Sequence, residues 1–296
     1  MRKGISIAMA CYNGAGYIAQ QLQSIFLQTL KPQEIIIVDD CSTDDTIQLL
    51  LELQNKHPFL IKLYKNDTNL GPVKSFKKAI SLCNFDYIAL ADQDDIWELN
   101  KLELCSSHLE RIHEDGIPVM VYSDLKVIDS NGTLLAPSFW DLQGYRPKQT
   151  GFSDLLIGNI VTGCTIMLNV EMKHEIELMP DQVIMHDHWI ALVAYGIGRV
   201  EAISDTPIKY RVHHSSVTNK SRISLRGRLK LFFKNITDFK GTYLKENIEQ
   251  AKKFQELYRG RLDSDRLAAT AKIISLSPRK SWYRKFYIGF TKYINR

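Results

Sequence analysis

The sequence predicts an α/β protein: a mostly parallel central sheet flanked by helices, with a helical extension at the C-terminal end. Three observations carry this. The N-terminal 112 residues alternate short apolar or β-branched runs with longer amphipathic patterns. Strand signals stop after Thr218. Charge also divides along the chain: Ser221 to Arg296 holds 19 Lys+Arg against 6 Asp+Glu, a balance of +13, so the overall +5 leaves residues 1–220 at −8. An acidic body carrying a basic tail implies two jobs on one chain.

Taken in order, Ile5–Ala10, Glu34–Asp40, Ile61–Asn66 and Tyr87–Asp92 read as strands, and Tyr17–Gln28, Thr46–Gln54, Val73–Cys83 and Trp97–Ile112 as helices between and after them. Strands joined by such helices form βαβ units with both sheet faces covered, and ligands bind beyond the carboxyl ends of the strands. Alternation weakens between Met120 and Asp205, where mixed strand directions are expected. There Val119–Asp129 reads as a strand ending in a turn at Ser130–Gly132, followed by a strand at Cys164–Asn169, a helix over Asp187–Ile197 and an extended segment at Pro207–His213. The expected boundaries are an α/β body over residues 1–218 and a basic, mainly helical extension over 219–296.

The five cysteines are scattered and never form C-x-x-C, which argues against a disulfide framework or thiolate zinc site and for a reducing cytoplasm. The start of the chain has too short an apolar run for a signal peptide. The most apolar stretch, Leu155–Val170, is broken by Asn159, Thr162, Thr165 and Asn169, so no membrane span is expected.

Three predicted strand ends are polar: Tyr12-Asn13 after the first, Asp39-Asp40 after the second, and Asp92-Gln93-Asp94-Asp95 after the fourth. Together they have the character of a nucleotide-binding rim. Within Cys41–Thr46, Ser42 and Asp45 have capping-box spacing, and Asp44 and Asp45 read as structural. Asp95 reads as a cap of the following helix. Asp92-x-Asp94 at the end of a buried strand suits a hard divalent cation, Mg2+ or Mn2+, bridging carboxylates to substrate phosphates. Such a cation offsets the crowding of carboxylates and neutralises charge on a departing diphosphate. In Met185–Trp189, Asp187 lies between His186 and His188 just before an apolar helix, the pattern of a general base with an adjusted pKa. His213 and His214 follow the last strand, and one of them could supply a nitrogen to a metal or phosphate.

In this order, SIAMACYNGAGYIAQQLQSIFLQT, EIIIVDDCSTDDT, NLGPVKSF, YIALADQDDIWELNKL, TGCTIML, HDHW and YRVHHSSV resemble the inverting family 2 glycosyltransferases, in particular their rhamnosyltransferase-like branch, from about Gly4 to about Val217. The resemblance implies the GT-A fold, a nucleotide-sugar donor (dTDP-L-rhamnose foremost, UDP-hexoses next) and a divalent metal. It implies that Tyr12 borders the base, Asp40 accepts from its imide edge and Asp92 lies near the ribose, with Ala10, Asn13, Asn69 and Gln93 completing the donor site. Asp94 and His213 would hold the metal, and Asp187 would take the place of the catalytic base. Two positions depart from the pattern: Phe76 stands where many relatives have Arg, and His186 replaces the Glu of a Glu-Asp pair. The implied reaction is a single displacement on a glycan or polyprenyl-diphosphate-linked acceptor in cell-surface polysaccharide synthesis.

The tail alternates basic and aromatic residues, as in Leu225–Ile236 and Ser281–Tyr293, the pattern of an amphipathic surface on anionic lipid, and peripheral attachment to the inner face of the cell membrane is expected. A helical cap on the body is the other reading. Nucleic acid is not an expected partner, because the acidic body repels it. Two other functions stay open from the residues alone. One is a metal hydrolase built on His186, Asp187, His188, His213 and His214, and the other a non-catalytic nucleotide-sugar-binding protein. A dinucleotide-dependent dehydrogenase is excluded, because no G-x-G-x-x-G follows the first strand.

Overall fold

The computed structural model describes residues 2–212 and 242–276. Strands β1 (Arg2–Cys11), β2 (Glu34–Asp39), β3 (Ile61–Lys65) and β4 (Phe85–Ala91) alternate with helices α1 (Ile18–Phe26), α2 (Thr46–Lys56) and α3 (Pro72–Ser81). There follow β5 (Ile96–Trp97), α4 (Lys101–Ile112), β6 (Val119–Ser123), β7 (Lys126–Ile128), β8 (Leu134–Ala136), α5 (Phe139–Gln143) and α6 (Phe152–Leu155). Then come β9 (Met167–Asn169), α7 (Val170–Glu177), α8 (His186–Ile197), β10 (Arg199–Ile203), β11 (Ile208–Arg211), α9 (Thr242–Tyr258) and α10 (Ser264–Ile274).

A seven-stranded sheet runs β10-β6-β9-β4-β1-β2-β3, and a four-stranded sheet runs β5-β11-β7-β8. In the large sheet β9 alone is antiparallel to its neighbours β4 and β6. The remaining pairs are parallel. Strict alternation along the central strands feeds two separate cores. Ile5, Ile7, Met9, Ile35 and Ile37 face the layer of α1 and α4, and Ala8, Ile36 and Val38 face the layer of α3, α7 and α8. Each fully buried Ile contributes about 1.5–3 kcal/mol relative to an exposed one.

Two expectations fail locally. Trp97 does not open a helix. Ile96 and Trp97 pair with Lys209 and Ile208, and the helix begins at Lys101. Val119–Asp129 is not one strand. It breaks at Asp124, whose carboxylate accepts from the backbone N–H of Leu125, Phe139 and Trp140 and from the Ser138 hydroxyl. That knot swings the chain from the large sheet into the small one.

Residues 242–276 complete the body. Leu244, Ile248, Ala251, Phe254 and Tyr258 form the apolar stripe of α9 and join the α8-side core. Phe254 lies 5.5 Å from Phe152 and 5.9 Å from Trp189, ring centre to ring centre. The basic-aromatic segments Leu225–Ile236 and Ser281–Tyr293 lie outside the described residues. Among those described, no helix is long and apolar enough to cross a membrane, and all five cysteines are free.

Candidate active site

Parallel register brings three strand ends to one edge. Cys11 pairs with Asp39 and Met9 with Ala91, so Tyr12-Asn13, Asp40 and Asp92–Asp95 lie side by side. Ala10, half-buried, pairs with Val38 just behind them.

Tyr12 is 46% exposed, so its ring is available as a wall. Its backbone is fixed by Gln93, whose amide accepts from the Tyr12 N–H at 2.9 Å and donates to the Tyr12 carbonyl at 3.0 Å. A Cβ on Gly14 would sit 2.3 Å from the Gln93 Oε1, so any larger residue there displaces the Gln93 amide. Gln93, expected as a donor contact, has its amide engaged as a brace. Asn13, at φ 50°, accepts from Thr43 N–H at 2.8 Å and donates its own N–H to the Ser42 hydroxyl at 2.9 Å. Ser42 forms no capping box, since its hydroxyl donates to Asp39.

Asp40 is 4% exposed. Its carboxylate accepts from Asn66 Nδ2 at 2.8 Å, Leu70 N–H at 2.8 Å and Gly71 N–H at 2.7 Å. Asn69 donates to the Asp40 carbonyl at 3.1 Å. With about four acceptor positions on a carboxylate, Asp40 uses three of them to hold the loop after β3 against the rim. Gly71, at φ 80°, gives the turn that aims its N–H at Asp40.

At the end of β4, Asp92 and Asp94 are half-buried and Asp95 is buried. Burial, and then the charges of Asp94 and Asp187, push the Asp92 carboxyl up to about 7. Asp95 is raised as well, by burial and then by Asp94 and Asp92. It caps no helix. Instead it accepts from the Arg211 N–H at 3.1 Å and from the Cys164 thiol. Arg211, 3% exposed, donates from its guanidinium to the carbonyls of Asp94, Asp129 and Ser130 and to Gln20 Oε1. Its side chain thereby ties the acidic loop to α1 and to the turn after β7. Tyr210 faces the same cluster, its hydroxyl pKa raised by burial and then by Asp92 and Asp95. Neither residue was singled out in the sequence, where both lay within an otherwise ordinary strand.

The acids fit a hard divalent cation. Ligand atoms of Asp92, Asp95 and Cys164 lie within 4.8 Å of one another. Burial and then Asp95 and Asp92 keep the Cys164 thiol protonated, so it serves as a hydrogen-bond donor and the oxygen ligands remain. His213 and His214 lie outside the described residues.

Asp187 stands in the first turn of α8, where burial pushes its carboxyl up to about 6 against the lowering hydrogen bonds from the His188 and Gly163 backbone N–H groups. Its Cβ lies against Gly163, the residue before Cys164, and its charge is one of those that raise the Asp92 carboxyl. His188 is buried. Its Nε2 lies 2.6 Å from the Leu155 carbonyl and therefore carries the proton, and Nδ1 accepts from Gln250 Nε2 at 3.2 Å. His186 stacks on Phe76, and among the described residues neither ring nitrogen has a hydrogen-bond partner. Burial holds the two imidazoles down, to about 3 for His186 and about 4 for His188. These rings are packed and neutral, and among the described residues neither joins a cluster of metal-ligating side chains.

A family model described as Glycosyl transferase family 2 matches residues 6–172. The chain belongs to that family. It is 32% identical over 168 residues to the dTDP-rhamnosyl transferase RfbG of Shigella flexneri, covering 55% of this chain and 54% of that one. It is also 32% identical over 147 residues to the chondroitin synthase of Escherichia coli, covering 49% of this chain and 21% of that one. The chain thus spans about half of one of these family 2 relatives and a fifth of the other. The fold resembles S. aureus TarS 1–349 in complex with UDP, with a TM-score of 0.58 and 18% identity over 100% of this chain and 90% of that one. It also resembles the mannosyltransferase PcManGT from Pyrobaculum calidifontis, solved with GDP-Man and Mn2+, with a TM-score of 0.52, 14% identity and coverage of 100% and 87%. The architecture is therefore the GT-A fold, with a mixed central sheet and C-terminal helices.

Proposed function

We propose that this family 2 protein moves a sugar from a nucleoside-diphosphate donor to a hydroxyl of a glycan or lipid-linked glycan, with inversion, in cell-surface polysaccharide synthesis. The observation that carries the reading is the nearness of Asp187 to the acidic strand end: its Cβ lies against Gly163, the residue before Cys164, whose thiol sits with Asp92 and Asp95, and its charge raises the Asp92 carboxyl.

The exposed Tyr12 ring borders the base, and Asn13 and Asp40 shape the rim that receives it. Asp94, with the Asp92 and Asp95 carboxylates beside it, would hold a divalent cation, which when bound would neutralise the donor diphosphate. Asp187, with a carboxyl near 6, is ionised at neutral pH and accepts the acceptor proton. The freed oxygen attacks the anomeric carbon from the face opposite the diphosphate, the C–O bond to the diphosphate breaks, and the configuration inverts. Alignment of the two substrates supplies much of the rate.

The favoured donor is dTDP-L-rhamnose. Its support is the likeness to RfbG, which is described as a dTDP-rhamnosyl transferase. UDP- and GDP-sugars are the comparison set, since structures of this fold hold UDP and GDP-Man. The deciding experiment assays a panel of nucleotide sugars for release of free nucleoside diphosphate, with Mg2+ or Mn2+ and with chelator. Release that requires both the cation and Asp187 supports the reading, and release indifferent to both sinks it.

A further inference from the structure

The segment before Asp187, from Met179 to Met185, has no regular secondary structure, yet it sets where α8 begins. It is held from both sides. From α3, Lys77 Nζ donates to the Met179 carbonyl at 2.5 Å, and Lys74 pairs with Asp181 at 3.1 Å. From α9, Lys253 Nζ donates to the Gln182 carbonyl at 2.8 Å. Both members of the Lys74–Asp181 pair are exposed, and such pairs contribute little.

The tie at Gln250 differs because it is buried, with the residue 3% exposed. Its Oε1 accepts from the Ile184 N–H at 2.9 Å, and its Nε2 donates to His188 Nδ1 at 3.2 Å. Ile184 precedes Asp187 by three residues and His188 follows it directly, so one amide grips the chain on both sides of the carboxylate. The other end of the same imidazole is fixed on the Leu155 carbonyl, and the His188 N–H donates to Asp187 Oδ1 at 2.6 Å. We infer that Gln250, on a helix outside the span matched by the family model, is a positioning residue for Asp187: through Ile184 and His188 it fixes the first turn of α8 and so the reach of the base. The inference rests on the proposed role of Asp187. It acts through geometry and not through contact with substrate. Displacement of a catalytic group by about 1 Å costs up to about 100-fold in rate.

The test compares Gln250→Met, which keeps volume and loses both hydrogen bonds, with Gln250→Glu, which keeps the acceptor for Ile184 and loses the donor to His188. Full-length variants are assayed for nucleoside diphosphate release, and amide hydrogen exchange is followed at Ile184. The expected result for Gln250→Met is a kcat lowered about 10- to 100-fold, a donor KM within about two-fold of the parent, and faster exchange at Ile184. Gln250→Glu should fall between it and the parent, with Ile184 still protected. A Gln250→Met enzyme with parental kcat, or with donor KM and kcat impaired alike, overturns the inference. If Gln250→Met does not fold, Gln250→Glu decides: parental kcat overturns the inference, and reduced kcat with unchanged donor KM upholds it. Asp187→Asn, measured alongside, separates the two ideas. Full activity in that variant removes the base itself, whereas an inactive Asp187→Asn with normal Gln250 variants removes only the brace.

Discussion

The His186 imidazole lies flat on the Phe76 ring, with centroids 4.1 Å apart and planes 17° apart. These are the two positions at which the resemblance read from the sequence implies other residues, and they meet in space. The two form a neutral aromatic pair, buried next to the backbone of Gly163 and one residue from Asp187.

His186→Phe should keep the stack and remove two buried nitrogens that have no partner among the described residues. Relief of an unsatisfied polar group is worth about 1–3 kcal/mol, so the melting temperature should rise. The gain should also change with pH. The pKa of His186 is lowered in the folded state, so its stabilising contribution is present above its unfolded value and is lost as pH falls toward about 3. Thermal unfolding between pH 7 and pH 4 should show less acid destabilisation in the variant. A raised acceptor KM would instead place His186 in the acceptor site.

Asp187→Asn should lower turnover by about 100- to 10,000-fold while donor and metal binding persist. Calorimetric titration with the nucleoside diphosphate measures the binding, and product release measures the loss. In the parent, kcat should rise with pH through about 6 as the carboxyl ionises, and the residual activity of the variant should lack that limb.

The acidic strand end should make stability depend jointly on pH and divalent cation. Asp92 and Asp187 have carboxyls raised in the folded state, so their contribution is present below ordinary carboxylate values and is lost as pH climbs through about 6 and 7. Added Mg2+ or Mn2+ should raise the melting temperature at pH 7.5 more than at pH 5, and Asp94→Asn should abolish the difference. Equal shifts at both pH values would argue against a cation on these carboxylates.

Gln93→Ala should leave turnover at saturating donor nearly intact but raise donor KM about 10-fold, because two backbone hydrogen bonds of about 0.5–1.5 kcal/mol each no longer hold Tyr12. Gly14→Ala should act in the same direction, since its Cβ displaces the same amide. Initial-rate kinetics over donor concentration distinguishes this from a catalytic defect.

Phe254→Ala should cost about 3–5 kcal/mol, the range for truncating a buried aromatic. Removing α9 altogether should leave no folded protein. A test for lipid binding by the basic tail therefore needs truncation after Leu276, and co-sedimentation with anionic liposomes should fall in that shortened chain if the tail is the anchor.

The central strands and α1 to α3 were legible because both signals are local: apolar alternation in β1 and β2, and Ile18, Leu22 and Ile25 on one face of α1. The polar strand ends, which the sheet brings to one edge, were legible because charge interrupting apolar runs needs a reason. What escaped depended on distant partners. The break at Asp124 exists because Ser138, Phe139 and Trp140 return to it, and Trp97 is a strand because Ile208 pairs with it. Gln250 looked like any polar helix residue until α9 was laid beside α8.

The antiparallel β9 has a consequence for how this chain is made. During synthesis β1 to β4 can assemble as soon as residue 91 emerges, but the outer edge of β4 stays unpaired until Met167–Asn169 arrives. For roughly 75 residues of ribosomal elongation the nascent protein carries a bare, apolar sheet margin, the kind of surface that recruits stray strands. Slow translation or a chaperone acting over that interval should govern the yield of native enzyme more than any event at the catalytic rim.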